Sequence, residues 1–123
     1  VAKFNTSKLS PVYDCGSALH PLLSEIEIKE LLKNRELKNI SINLKTAYKL
    51  NGTTLNYLDI YKNMPEKLKN SLKRMYSKIN LDAIKNIIYS TPALTDEMKE
   101  FYYKTIEIRK NEIIDKYYKE INI

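Results

Sequence analysis

Only two glycines, Gly16 and Gly52, occur among the 123 residues, and there is no tryptophan, one cysteine and one histidine. A lone cysteine, Cys15, excludes an internal disulfide and any zinc pattern, so a reducing, cytoplasmic setting is expected. A lone histidine, His20, excludes a histidine metal cluster. No apolar run reaches the length of a membrane span, and no secretory signal peptide is expected. What remains is rich in Lys, Glu, Leu and Ile, which favours helix. At 43% hydrophobic and 29% charged residues, the chain reads as a folded domain rather than a disordered one. Its length suits one modest core, not two. Ten tyrosines fit a core edge, where rings are buried and hydroxyls stay wet.

The formal net charge is +6, unevenly distributed. Residues 65–94 hold six basic and two acidic groups, whereas residues 95–123 hold six and seven. A basic middle favours an anionic partner such as a nucleotide, a nucleic acid or a membrane surface. The lysines are nevertheless spaced as on a solvated helix surface, which accounts for them without a ligand.

Turn and periodicity signals give the order of elements. Val1–Phe4 and Leu9–Asp14 read as two short strands around the turn formers Asn5–Lys8, an N-terminal β-hairpin with Pro11 at an edge or bulge. The turn Asp14–Ser17 ends it, and Pro21 keeps the next residues non-helical. Ser24 and Glu27 have capping-box spacing, opening a first helix with Ile28, Leu31 and Leu32 on its apolar face. Residues 36–56 are less regular, with a strong turn at Asn51-Gly52 flanked by Tyr48, Leu50 and Leu55. A short helix is expected from Tyr57 to about Met64, and Pro65 suits the first position of the next. That helix, 66–78, shows Leu68, Leu72, Met75 and Ile79 as an apolar stripe. Asn80 or Asp82 starts a fourth, with Ile84, Ile87 and Ile88 inward and Pro92 closing it. Thr95 caps a last helix running to about Ile121, its face made by Met98, Phe101, Tyr102, Ile106, Ile113, Tyr117 and Ile121. The expected fold is mainly α: an N-terminal hairpin followed by about five helices.

The sharpest local signal is Leu9-Ser10-Pro11-Val12-Tyr13-Asp14-Cys15-Gly16-Ser17-Ala18-Leu19. A strand fixes the Asp14 backbone, and Gly16 lets the chain bend sharply after it. Such a carboxylate can be aimed at magnesium, which prefers hard oxygen ligands and phosphate oxygens. A bare Asp-x-Gly is common in ordinary turns; the longer string is more specific. Leu-x-Pro-x-Tyr-Asp-x-Gly-Ser-x-Leu resembles the segment after the catalytic loop of HipA-like serine/threonine kinases. Downstream, Pro21–Ser24, then Lys45–Tyr48 with Asn51-Gly52 and Asn56–Asp59, then Phe101-Tyr102, Ile106 and Arg109, loosely follow that family's order.

The resemblance implies that residues 1–123 are the C-terminal helical portion of a HipA-like kinase C-lobe. Asp14 would be the metal ligand, as the D-F-G aspartate is in other protein kinases, and Cys15 stands where that motif has phenylalanine. Gly16 and Ser17 would contribute to the nucleotide site. Mg and ATP are the implied cofactors. The implied partners are the missing N-terminal portion, an unknown protein acceptor and, in toxin–antitoxin members, a DNA-binding antitoxin. The nucleotide-binding lobe, the base aspartate and the second metal ligand would all precede Val1, and no catalytic residue is assigned within these residues. A chain that opens on Val1 in what reads as a strand is expected to be a fragment, inactive by itself.

Other residues carry weaker signals. A Cys15–His20 catalytic pair competes with a plain turn thiol, and Ser17 as a phosphate contact competes with a turn residue. Arg109 on a long helix is expected to pair with a nearby acid. The alternative to the kinase reading is a small basic helical module binding nucleic acid or protein through 65–94, with Tyr76 and Tyr89 for stacking.

Overall fold

The structure is a computed structural model and describes residues 19–121, apart from 21, 35, 44, 51 and 63. The elements run α1 (Glu25–Asn34), α2 (Leu37–Asn43), β1 (Lys45–Leu50), β2 (Thr53–Asn56), α3 (Tyr57–Lys62), α4 (Glu66–Tyr76), α5 (Leu81–Tyr89) and α6 (Asp96–Arg109). A π-helical turn, Lys110–Asp115, then carries α6 into α7 (Lys116–Ile121). The mainly helical expectation holds. The N-terminal hairpin expected over 1–14 lies outside the described residues.

Helix starts follow their caps. The Ser24–Glu27 box forms reciprocally: the Ser24 backbone N–H donates to Glu27 Oε2 at 2.9 Å, and the Glu27 N–H to Ser24 Oγ at 3.2 Å. Asn80 Oδ1 accepts from the Ala83 N–H at 3.0 Å, and Thr95 Oγ1 from the Met98 N–H at 3.3 Å. Asn56 and Asp59 make a second reciprocal box at the head of α3, at 3.1 and 2.9 Å. Pro65 is not the first helical residue of α4 but its cap, at φ −66° and ψ 160°. Its carbonyl accepts from the N–H groups of Leu68 and Lys69, a role that needs no donor from proline.

The irregular stretch expected over 36–56 is a helix followed by an antiparallel hairpin. Lys45 pairs with Asn56, Lys49 with Thr54 and Leu50 with Thr53, with a register irregularity between Lys45 and Lys49. Gly52 has φ 82°, and a side chain there would meet nothing within 4 Å. The tight turn therefore needs glycine for its backbone angle alone. Periodicity missed these strands because they are short and their alternation is broken by lysines.

The apolar side chains gather in two clusters along the α6–α7 rod. Phe101, Ile28 and Leu37 centre one, under Leu31, Leu32, Ile40, Met98 and Tyr102. Ile113, Tyr117, Leu72 and Met64 centre the other, with Leu58, Tyr61, Leu68 and Ile121 against them. The single core expected from length is thus divided, and one helical rod spans both halves. The inward assignments of Met75 and Ile87 fail: they are 42% and 68% exposed. Leu72 and Ile88 take the buried positions of α4 and α5. Short helices bury a narrow stripe, and residues at its edge turn to water.

Among the described residues, every buried side-chain nitrogen and oxygen has a hydrogen-bond partner. Two buried hydroxyls bond back into their own helices, Ser41 Oγ to the Leu37 carbonyl at 2.6 Å and Thr105 Oγ1 to the Phe101 carbonyl at 2.8 Å.

Candidate functional site

Asp14, Gly16 and Ser17, and with them Cys15, lie outside the described residues. The nearest described residue that bears chemistry is His20, six positions after Asp14 in sequence. His20 adopts a φ of 56°, and no other described non-glycine residue has a positive φ. Left-handed backbone costs an L-residue roughly 1–2 kcal/mol, so the surroundings must hold it there.

Three contacts do so. The His20 carbonyl accepts from the Leu23 N–H at 3.2 Å, closing a turn ahead of α1. Its ring meets Phe101 edge-on, with centroids 6.1 Å apart and planes at 65°. Its Nε2 lies 3.3 Å from Arg109 Nη2. A guanidinium can only donate, so Nε2 accepts, and the imidazole is neutral with its proton on Nδ1. Burial, followed by the nearby Arg109 charge, lowers the His20 pKa below 6.5, in the same sense.

Arg109 is fixed from the other side as well. Its Nε donates to the carbonyl of Ser41, a fully buried residue of α2, at 3.0 Å. One guanidinium thus ties α6, α2 and the segment entering α1 at a single node. The sequence marked Arg109 as an acid's partner; the backbone carbonyl and the imidazole were not legible, since Ser41 and Arg109 are 68 residues apart.

A cleft of about 370 Å³ adjoins this node, lined by His20, Leu23 and Leu31 with Glu27, Glu30 and Glu36 at its edge. A larger open cleft of about 730 Å³ lies between α3, α4 and α7, with Lys69, Lys73, Glu120, Tyr61 and Tyr117 in its lining. Burial pushes the Tyr61 hydroxyl pKa up, and its ring stacks on Tyr117 at 5.6 Å. Neither cleft gathers a metal-binding set: the described residues contain no group of three or more His, Cys, Asp or Glu side chains placed to hold an ion. The Cys15–His20 pair is not described on its cysteine side, and the imidazole is committed to Arg109.

Of the two aromatic residues marked for nucleic-acid stacking, Tyr76 is engaged within the fold and Tyr89 is 43% exposed. Tyr76 stacks on Tyr118 with centroids 3.7 Å apart, and Lys110 Nζ lies 5.4 Å from the Tyr76 ring. Lys85 sits over Tyr89 and Tyr103 at 5.8 and 5.3 Å. The π-helical turn was also invisible to periodicity. Within it Lys110 Nζ reaches Asp115 Oδ1 at 2.8 Å, a spacing of five residues that i→i+5 winding brings together. No helix of the described residues is long and apolar enough to cross a membrane.

No protein-family model matches the chain. Over 112 residues, 88% of its length, it is 30% identical to the serine/threonine-protein kinase CtkA of Helicobacter pylori (strain J99). It spans only 34% of that relative. The crystal structure of a Helicobacter pylori proinflammatory kinase CtkA is similar at a TM-score of 0.81 and 28% identity, over 92% of this chain and 42% of that one. Agreement in sequence and in fold over nearly the whole chain makes it a homologue of one part of CtkA, a HipA-like serine/threonine kinase.

Proposed function

We propose that this chain is the C-terminal helical part of the C-lobe of a serine/threonine protein kinase that uses ATP and magnesium. The carrying observation is the homology to CtkA over 88% of the chain, joined to the Asp14–Ser17 string that precedes α1. In this reading the Asp14 carboxylate, a hard oxygen donor, holds the magnesium ion bound to the nucleotide. Gly16 and Ser17 form the turn beside the phosphates. Bound there, magnesium would neutralise charge on the β- and γ-phosphates as the γ-phosphoryl passes to a serine or threonine hydroxyl. The chain's own work is positional: α6 and α7 form a spine, and α1 and α2 pack on its α6 part.

The lobe that binds ATP, the general base and the second metal ligand belong, in this reading, to the part of the kinase that these residues do not span. The acceptor is a protein, and the setting proposed is a reducing, cytoplasmic one, in keeping with the single cysteine. A DNA-binding antitoxin is a partner to be sought if the full protein arrests growth.

The test is phosphoryl transfer by the full-length protein. With γ-labelled ATP and magnesium it should label itself or a generic protein acceptor on serine or threonine. Asp14→Asn should reduce that rate by at least about a hundredfold without changing the far-ultraviolet circular dichroism. Labelling that survives Asp14→Asn would remove Asp14 from the metal site.

A further inference from the structure

We propose that the cleft between α3, α4 and α7 is a docking site for an acidic segment of a protein partner, held chiefly by Lys69 and Lys73 of α4. This site needs neither Asp14 nor a nucleotide, and every residue assigned to it lies among the described residues.

Charge and shape carry the inference. Residues 65–94 hold six basic and two acidic groups, and α4 brings part of that excess to the wall of a cavity. Lys69 and Lys73 are about one helical turn apart, so they share one face of α4, and both line the cleft. Neither makes an ion pair with any described residue, although Glu66 and Glu120 belong to the same lining. Lys62, the third lysine of the cleft, is already paired with Asp59 at 3.8 Å. Two cations left unneutralised in a concave surface draw an anionic group strongly, because low-dielectric walls focus their field.

The rest of the lining favours a peptide over a nucleic acid. Tyr117 is buried and Tyr61 stacks on it at 5.6 Å, so the pair offers little of the open ring face that base stacking needs. Tyr76, at the end of α4, is stacked on Tyr118. Glu66 and Glu120 repel a continuous phosphate chain, whereas a peptide brings backbone N–H groups that carboxylates accept. Tyr61 and Ile121, both half-buried, give apolar surface to the side chains that separate the acids. A cleft also suits a protruding chain better than a flat lipid surface.

The test is fluorescence anisotropy with the full-length protein and a short fluorescein-labelled peptide rich in glutamate with interspersed leucine. The same peptide with glutamine in place of glutamate, and a labelled oligothymidylate, are the comparison probes. The acidic peptide should bind, and added salt should weaken it. Lys69→Glu combined with Lys73→Glu should weaken binding by at least about tenfold. Lys67→Glu combined with Arg74→Glu makes the same change of net charge on the same helix but outside the cleft lining, and should alter affinity by less than about twofold at physiological salt. A folded Lys69→Glu, Lys73→Glu protein that keeps its affinity would overturn the inference. Equal losses from the two pairs would overturn it too, because they would mean diffuse attraction rather than a site. Should the charge reversals not fold, Lys69→Gln with Lys73→Gln replaces them, and retained affinity in that variant is decisive in the same way. Failure of the acidic peptide to bind, or equally tight binding of the glutamine peptide or the oligothymidylate, also ends the case for an acidic protein segment.

Discussion

His20 ends with a lowered pKa because its ring is partly withdrawn from water and faces a permanent cation, Arg109. The consequence for stability has a definite sign. The unfolded chain protonates this histidine near pH 6.5, whereas the folded chain resists protonation until the pH is lower. The stabilising contribution is therefore complete above pH 6.5 and is lost as pH falls through the folded pKa. Thermal unfolding followed between about pH 7.5 and 5.5 should show the Tm declining, with a shallower decline in His20→Asn. Equal slopes would mean that the imidazole is not held neutral by the fold. Phe101 is the other residue on which much turns, at 0% exposed and in contact with both His20 and Tyr102. Phe101→Ala should cost about 3–5 kcal/mol in urea denaturation, from lost burial plus the cavity left behind.

At the scale of elements, the caps decide where helices begin, and the α6–α7 rod decides what they lean on. Thr95 supplies the acceptor for Met98, and Asp96 and Glu97 follow it in the first turn of α6. Thr95→Ala should destabilise the fold by about 1 kcal/mol, read as a drop in Tm, whereas Thr95→Ser should be nearly silent. Farther along the rod, the π-helical turn lies between Phe101, which centres one cluster, and Tyr117, which belongs to the other. The Lys110–Asp115 pair inside the turn is only 19% and 22% exposed, less open to water than the ion pairs of Lys29, Lys38, Lys62 and Lys104. Caps were readable from sequence because they act within three or four residues. The second box, Asn56–Asp59, has the same logic with less familiar residue types. The hairpin of β1 and β2 announced itself only through Asn51-Gly52, and the π turn had no local signature at all.

For the whole molecule, the homology covers nearly all of this chain but about a third of the relative, so the chemistry proposed here needs residues supplied from elsewhere. The 123-residue chain alone should transfer no phosphate to any protein in the presence of magnesium and ATP. Full-length protein under the same conditions should label an acceptor, and the two assays run side by side settle the point. Labelling by the isolated chain would show that this segment already contains a complete site.

Sequence by itself determined the mainly helical character, the positions of three caps, the apolar residues at the rod's centre, and a resemblance carried by one short string around Asp14. These are local quantities: propensity, capping distance and a 3.6-residue period. The tertiary structure alone decided that the apolar residues divide into two clusters, that Met75 and Ile87 face water, and that Arg109 reaches Ser41 and His20. Those outcomes depend on which helix faces meet, and no window along the chain contains residues 20, 41 and 109 together.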